Sequence, residues 1–358
     1  MSLLGAILAG GGSRRFRSPK TLARLHGTPL WQVAADRLSE VCDEVVAVVN
    51  HPQVAHAVKL ETLPDRHPLL GPLGGIDAAL ARAVRGGHDA VLVLAVDMPW
   101  VGTEALRLLV DAWRQRHRTT LPRAGPPWGF HPLCGIYPLG VLTPLNSALA
   151  ERRLKSGAFA NSLDPEVVDT GLSQWDFRSV NNPVDLPPPA FSIVGNKKSG
   201  KTTLSVSVIG ELAGRGRRVM SVKHGHHFRL DSPGTDSWRH RHEGGAERVL
   251  LSGPDEFALL GGWGAEGERP LDLLLSRHLA DAEIVVVEGF RGAGVPKIEI
   301  YRAAAQPEPV FAPEEARDRR VLAVVTDRPD LPWSVPVLDA DAADIAARIA
   351  DLVEGRLL

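Results

Sequence analysis

The 358-residue sequence carries 41 basic and 42 acidic side chains, a formal charge of −1, with 44% hydrophobic and 23% charged residues. That length exceeds one ordinary hydrophobic core, so two domains are expected, and the charge balance argues against a protein that coats nucleic acid or an anionic membrane. Two cysteines, Cys42 and Cys134, exclude a disulfide framework and match no metal-ligand spacing. No apolar run reaches the length of a membrane span and the first residues lack the pattern of a secretory signal, so a cytoplasmic location is expected.

Leu3 to Leu8 reads as a buried first strand, and a loop rich in glycine and basic residues follows it. Gly10, Gly11 and Gly12 let the backbone turn and aim its N–H groups at phosphate oxygens, while Ser13 adds a hydroxyl. Arg14, Arg15, Arg17 and Lys20 bring the charge that a nucleoside triphosphate requires. Pro29 to Val41 has helical spacing, Glu44 to Val49 is a strand, and Leu70–Gly75 reads as a Gly/Pro loop before a helix over Ile76–Val84. Ala90 to Val96 is a second buried strand, with Asp97 at its end. Strands alternating with helices predict a mostly parallel sheet whose ligands sit beyond the strands' carboxyl ends.

In that place Asp97 either holds Mg²⁺ on triphosphate oxygens or caps a helix starting near Gly102. Lys20 is a surface lysine or a fixed cation near the α-phosphate. Asp65 with the Gly71–Gly75 turn is a surface loop or the lining of a base and ribose pocket. Thr119 to Tyr137 is irregular and reads as a substrate-facing insertion rather than core. Helical spacing returns over Leu139–Arg153, Ser179–Pro183 has the residues of a closing turn, and the prolines of Leu186–Ala190 mark a linker.

The strand–loop–helix pattern then restarts. Phe191 to Val194 is a strand, and Gly195, Asn196, Lys197, Lys198, Ser199, Gly200, Lys201, Thr202 and Thr203 fit G-x-x-x-x-G-K-[ST] in full, with a helix to Arg215 behind them. In such a loop backbone N–H groups cradle phosphates, the lysine reaches the β- and γ-phosphates, and the threonine hydroxyl meets Mg²⁺. Strands follow at Val219–Lys223, Ala282–Val287 and Arg320–Val325, with a last helix over Ala342–Val353. Glu288 ends the second of these and is placed to hold Mg²⁺ or orient water. The cluster His224, His226 and His227, with Asp231 and Asp236, matches no zinc spacing and suits hydrogen bonding near a phosphate.

The motifs L-A-G-G-G-S-R-R-F with P-K, G-P-L-G-G, V-D-M-P, His131-Pro132 and S-V-N-N-P, in that order over residues 1–186, resemble the molybdenum cofactor guanylyltransferase family, MobA. The resemblance implies a Rossmann-like nucleotidyltransferase domain that moves GMP from GTP to molybdopterin, giving the guanine dinucleotide cofactor and pyrophosphate. It implies a GTP site of Leu8, Gly10, Gly11, Gly12, Ser13, Lys20, Asp65, Gly75 and Asp97. Arg15, Lys20 and Asp97 would serve the reaction, Asp97 would hold Mg²⁺, and His131, Asn181 and Asn182 would face the molybdopterin. Pro19 departs from the acidic residue often found before the loop lysine, and Gly10 matches the guanine-using form rather than L-A-A-G.

G-N-K-K-S-G-K-T-T, V-K-H-G-H-H, D-S-P-G-T-D-S and V-E-G-F, over residues 190 to about 300, are similar to MobB, the GTP-binding adapter of the same pathway. That resemblance implies a P-loop NTPase domain with a GTP site of Gly195, Asn196, Ser199, Gly200, Lys201, Thr202 and Thr203. It further implies Mg²⁺ at Thr202 and Glu288, weak GTP hydrolysis, a homodimer through this domain, and partners among molybdopterin-inserting enzymes and apo-molybdoenzymes. The expected organisation is α/β with two domains, residues 1–186 and 191–358, joined by a proline linker at 187–190. The other readings are a sugar-phosphate nucleotidyltransferase fused to a P-loop kinase, and a non-catalytic molybdenum cofactor carrier.

Overall fold

A computed structural model describes every residue except 11–15, 17–18, 68–69, 125–128, 174, 226–227, 229 and 265–266. The chain forms two compact units, Met1–Leu186 and Pro187–Leu358, and both are α/β.

The first unit runs β1 (Leu3–Leu8), β2 (Arg24–Leu25), β3 (Thr28–Pro29), α1 (Leu30–Ser39), β4 (Glu44–Val48), α2 (Pro52–Ala57), β5 (Glu61–Leu63), α3 (Gly71–Gly86), β6 (Ala90–Ala95), α4 (Thr103–Arg116), β7 (Thr120–Pro122), β8 (Cys134–Pro138), α5 (Leu142–Ala150), α6 (Ser156–Ser162) and β9 (Glu166–Val168). Its seven-stranded sheet has the order β5-β4-β1-β6-β8-β7-β9. All pairings are parallel except those of β8 with β6 and β7.

Alternation along β1 sends Leu3 and Ile7 into a core with Leu38 of α1 and Leu106 of α4, and Leu4 and Ala6 into a core with Leu80 of α3 and Leu145 of α5. Apolar runs such as LLGAIL and AVLVLA are therefore buried on both faces, as strands between helical layers must be. Gly5 is needed where α1 crosses β1, because a Cβ there would lie 3.2 Å from both Leu38 Cβ and Cys42 Sγ. The connections from β1 and into β6 cross on opposite faces of the sheet. The carboxyl ends of β1 and β6 thus flank the crevice where such folds bind ligands.

Three expectations change in this unit. Both ends of the stretch 119–137 belong to the core rather than to an insertion: β7 and β8 lie within the sheet, and Leu121, Cys134 and Ile136 are fully buried. β8 runs antiparallel, and Gly135 lies where a Cβ would meet Thr120 O at 2.8 Å, so the glycine that looked like loop material marks close strand approach. The Gly/Pro stretch at 70–75 is already helical from Gly71, since Pro72 suits a first helical turn, where its missing N–H costs no bond. Asp97 caps no helix, because Gly102 is the residue that precedes α4.

The second unit continues with β10 (Ala190–Val194), α7 (Lys201–Gly214), β11 (Val219–Lys223), α8 (Asp236–His242), β12 (Arg248–Ser252), β13 (Phe257–Gly261), α9 (Leu271–His278), β14 (Ile284–Glu288), β15 (Lys297–Tyr301), β16 (Val321–Thr326), β17 (Val337–Asp339) and α10 (Ile345–Leu357). Its six-stranded sheet, β11-β14-β10-β15-β16-β17, is parallel throughout. Helices α7 and α10 pack on one face through Leu204, Val208, Ile349 and Val353, and α9 packs on the other through Leu271 and Leu275.

Strand β10 takes in Ala190, the last residue of the expected linker, and Pro189 O accepts a hydrogen bond from Val285 N at 2.8 Å. Proline cannot donate to a sheet but its carbonyl can accept, so the proline run ends inside the ladder. A hairpin absent from the sequence reading, β12–β13, stands outside the main sheet and leaves Leu250 63% and Phe257 78% exposed. Among the described residues no helix is long and apolar enough to cross a membrane.

Candidate active site and phosphate-binding loop

The crevice of the first unit brings together two residues 77 positions apart. Lys20 Nζ donates to Asp97 Oδ2 at 2.9 Å, with the two side chains 15% and 25% exposed. Lys20 opens a single 3₁₀ turn, Lys20–Leu22, whose entry is set by Pro19 and whose Leu22 N–H bonds Pro19 O. Pro19 thus fixes the backbone that presents the lysine. Asp97 follows β6 by two residues, and its carbonyl accepts from Val180 N–H at 2.9 Å, which draws the closing segment to the same place. Gly11, Gly12, Ser13 and Arg15 lie outside the described residues, as do Arg14 and Arg17.

Beside the end of β1, Asn50 Nδ2 donates to Asp65 Oδ2 at 2.6 Å while Asp65 N–H donates to Asn50 Oδ1 at 2.9 Å. A Cβ on Gly10 would stand 3.0 Å from Asn50 Nδ2, and one on Gly75 would stand 3.0 Å from Leu8 Cδ2 and 3.9 Å from Asp65 Oδ1. Leu8, Gly10, Asp65 and Gly75 therefore converge on one spot. Burial raises the Asp65 carboxyl above its ordinary range, opposed by the Asn50 amide and helped by the charge of Asp77. Asp77 is wholly buried on α3, bonded to Arg66 Nη1 at 3.2 Å, and is raised by burial as well. Sequence reasoning missed Asn50. Its signal was a polar residue just past the end of a buried parallel strand, the same signal that marked Asp97.

On the other side of Asp97, His131 stacks on Phe177 with centroids 5.2 Å apart, and Arg178 lies over the Trp100 ring at 3.3 Å. Desolvation lowers the His131 pKa, with the Asp97 charge pulling the other way. The backbone N–H groups of Asn181 and Asn182 both donate to Asp185 Oδ2, at 2.6 and 2.7 Å, which fixes the turn carrying these two residues. Phe177, Arg178 and Trp100 gave no sequence signal, because their pairing depends on how the closing segment folds back.

In the second unit the G-x-x-x-x-G-K-[ST] stretch joins β10 to α7. Gly195 allows the loop to pass against Ile300 O, and Gly200 turns it at φ 97°. Lys201 Nζ donates to Asn196 O at 2.7 Å, and Ser199 Oγ is buried without a hydrogen-bond partner among the described residues. Thr202 Oγ1 donates to Glu288 Oε1 at 2.9 Å across 86 residues. Lys223 Nζ reaches the same oxygen at 2.5 Å, so a cation already sits at this hydroxyl–carboxylate pair. Burial lowers the Lys201 pKa, opposed by Glu288 and assisted by Lys223.

His224 packs on the Phe290 ring at 4.3 Å with Nε2 3.2 Å from Glu268 Oε2, while His226 and His227 lie outside the described residues. Asp231 Oδ1 accepts from Ser232 N, Thr235 Oγ1 and Ser237 Oγ, which ties the start of α8. Among the described residues no group of three or more His, Cys, Asp or Glu is placed to hold a metal.

Residues 5–164 match the model of the MobA-like NTP transferase domain, and residues 190–327 match that of molybdopterin guanine dinucleotide synthesis protein B, MobB. A probable molybdenum cofactor guanylyltransferase of Rhodopirellula baltica is 32% identical over 52% of this chain and 91% of its own length. The first unit belongs to the MobA-like NTP transferase family, and the second to MobB. The molybdopterin-guanine dinucleotide biosynthesis adapter protein of Haemophilus influenzae is 35% identical to the MobB unit's region, over 47% of this chain and 89% of its own length. A crystal structure of molybdopterin-guanine dinucleotide biosynthesis protein A from Archaeoglobus fulgidus is 23% identical, covers 50% of this chain and 93% of that one, and has a TM-score of 0.41.

The MobA-like unit is thus a nucleotidyltransferase by family. Lys20, Asn50, Asp65, Gly75, Asp97 and His131 all fall inside its matched span, whereas Asn181 and Asn182 fall beyond it. The matched span of the MobB unit takes in the whole P-loop and Glu288.

Proposed function

We propose that the MobA-like unit transfers GMP from GTP to molybdopterin and releases pyrophosphate. A terminal phosphate oxygen of molybdopterin attacks the α-phosphorus, the new P–O bond forms in line, and the bond to the β-phosphate breaks. No protein nucleophile is required, so the enzyme positions the reactants and neutralises charge. The single observation that carries this reading is the Lys20–Asp97 pair at 2.9 Å in the crevice between β1 and β6.

Lys20 is assigned to the α-phosphate, where negative charge grows during attack, and Arg15 with Gly10, Gly11, Gly12 and Ser13 to the phosphate chain. Leu8, Asn50, Asp65 and Gly75 line the guanosine. His131, Asn181 and Asn182 face the molybdopterin. A lone carboxylate beside a phosphate chain is a hard oxygen donor of the kind Mg²⁺ accepts together with substrate phosphates, and Asp97 would hold that ion. When bound, Mg²⁺ supplies positive charge to triphosphate oxygens.

The MobB unit is assigned GTP binding at Gly195, Asn196, Ser199, Gly200, Lys201, Thr202 and Thr203, with Thr202 and Glu288 holding Mg²⁺ and hydrolysis weak. Its role is to aid cofactor biosynthesis or delivery in the cytoplasm, toward molybdopterin-inserting enzymes and apo-molybdoenzymes. A homodimer through this unit is supported by the exposed apolar side chains of the β12–β13 hairpin, which a partner copy would cover.

The test is incubation of the chain with GTP, Mg²⁺ and molybdopterin. Guanine dinucleotide and pyrophosphate are expected. Absence of product here, with product from a sugar phosphate in its place, would overturn the reading.

A further inference from the structure

The MobB unit contains a second cavity that none of the residues Gly195–Thr203 lines. It has a volume of about 430 Å³ and is walled by Arg291, Lys297, Phe311, Glu315 and Arg319. Ile298 and Ile300 of β15 point into the core under α7 and α10, so alternation puts Lys297 on the opposite side of the sheet from α7.

The cavity wall is cationic. Lys297 is 4% exposed, and its ammonium donates to three carbonyls, Ala293 O at 2.8 Å, Val295 O at 3.0 Å and Arg319 O at 3.4 Å. Among the described residues it has no carboxylate partner, and burial, with the nearby Arg320 charge, pulls its pKa down to about 8. Arg291 is exposed and forms no hydrogen bond or ion pair with another described residue. Among the described residues the Arg319 guanidinium reaches only Glu315, at 3.4 Å. Three cations against one carboxylate leave a net positive pocket, and the planar fork of a guanidinium can bond two oxygens of a phosphate side by side.

The size and the remaining walls narrow the ligand. A volume of this order falls in the range of small-molecule sites and exceeds what a bare phosphate fills, and Phe311 offers an apolar surface beside the charge. We propose that this cavity binds a small organic phosphate monoester, with Arg291 and Arg319 on the phosphate and Phe311 against the organic group. The site is separate from the P-loop and does not depend on the reaction assigned to the first unit. It is physically tied to the P-loop, however: Glu308 O accepts from Asn196 Nδ2 at 2.9 Å, and two residues on, Val310 N–H donates to the fully buried Glu299 at 2.6 Å. The segment that walls the cavity therefore begins on the nucleotide loop.

The experiment is calorimetric titration of the full chain with phenyl phosphate, in the presence of saturating GDP and Mg²⁺ to fill the nucleotide sites. One saturable site is expected, weakened at least tenfold in the Arg291→Gln/Arg319→Gln double variant with the melting temperature unchanged. Arg291→Gln alone alters only an exposed side chain, so it tests the site without threatening the fold and should weaken binding several-fold. Absence of saturable binding, or equal binding by the wild type and both variants, would overturn the proposal. Inorganic phosphate binding as tightly as phenyl phosphate would overturn the organic part of the assignment.

Discussion

The two candidate nucleotide sites of this chain are assembled differently. In the MobB unit the groups proposed to face phosphate lie in one contiguous stretch, Gly195 to Thr203, and Glu288 is brought in from a distance. In the MobA-like unit the glycine-rich stretch is contiguous too, but the described pairings that build the site are not: Lys20 meets Asp97 across 77 residues, and Asn50 meets Asp65 across the β4–β5 connection. A contiguous site is set by the backbone conformation of a few residues, whereas a dispersed one is set by strand order. The first survives as a motif; the second exists only once the sheet has formed.

That contrast can be broken most forcefully at Asp97. Asp97→Ala is expected to lower guanylyl transfer by about 10²–10³-fold, the usual loss when a charge-stabilising group is removed from an active site. GTP binding by the MobB unit should be unchanged; parallel loss of both would show that the two sites are not independent. Lys201→Ala is expected to weaken nucleotide binding in the MobB unit by about 10–100-fold, the value of a hydrogen bond to a charged group. Transfer measured in the same protein should stay within about twofold. A variant that stopped transfer would mean that the P-loop serves the first reaction.

Asn50→Ala sharpens the comparison, because it leaves the Asp65 carboxyl without its amide partner. The KM for GTP should rise about tenfold while kcat changes little, a split that identifies uniform binding rather than chemistry. A fall in kcat with KM constant would move Asn50 from the guanosine to the reacting phosphates.

A last effect is expected on stability rather than on activity, at Glu299. Burial raises its pKa from 4.5 to about 7, against the lowering pull of hydrogen bonds from the Val310 and Phe311 backbone. Because the folded value lies above the unfolded one, the protonated carboxyl favours the fold. Its contribution is fully present below pH 4.5 and is lost as the pH rises through about 7. Glu299→Gln should match the wild type near the lower of these values and exceed it near pH 8, by on the order of 1–3 kcal/mol. Thermal melting of both proteins across this range is the measurement. A pH-independent difference would show that the carboxyl is not the titrating group.

How much was legible follows from the same physics. The β1, β6, β10, β14 and β16 strands were readable because buried parallel strands are continuous apolar runs, and the α7 helix because its P-loop precedes it. β7 and β8 were not, since short antiparallel strands broken by proline and glycine carry no periodic signal. The hairpin β12–β13 escaped notice for a related reason: apart from Val249 and Leu260 its apolar residues are exposed, so its sequence lacks the in–out alternation of a strand with one face on a core. At the MobA-like site, Lys20 and Asp97 could be singled out but not joined, and Trp100, Phe177 and Arg178 could not be singled out at all.

The sequence by itself determined the two α/β units, their order, and the loop Gly195–Thr203 between a strand and a helix, because strand burial and a glycine-rich loop before a helix are local consequences of residue type. Tertiary structure decided the rest. It placed Lys20 against Asp97 and Asn50 against Asp65, put β8 inside the sheet, and gathered Arg291, Lys297 and Arg319 around one cavity. These are contacts between residues far apart in the chain, and only the register and order of the strands that carry them can bring such groups within hydrogen-bonding distance.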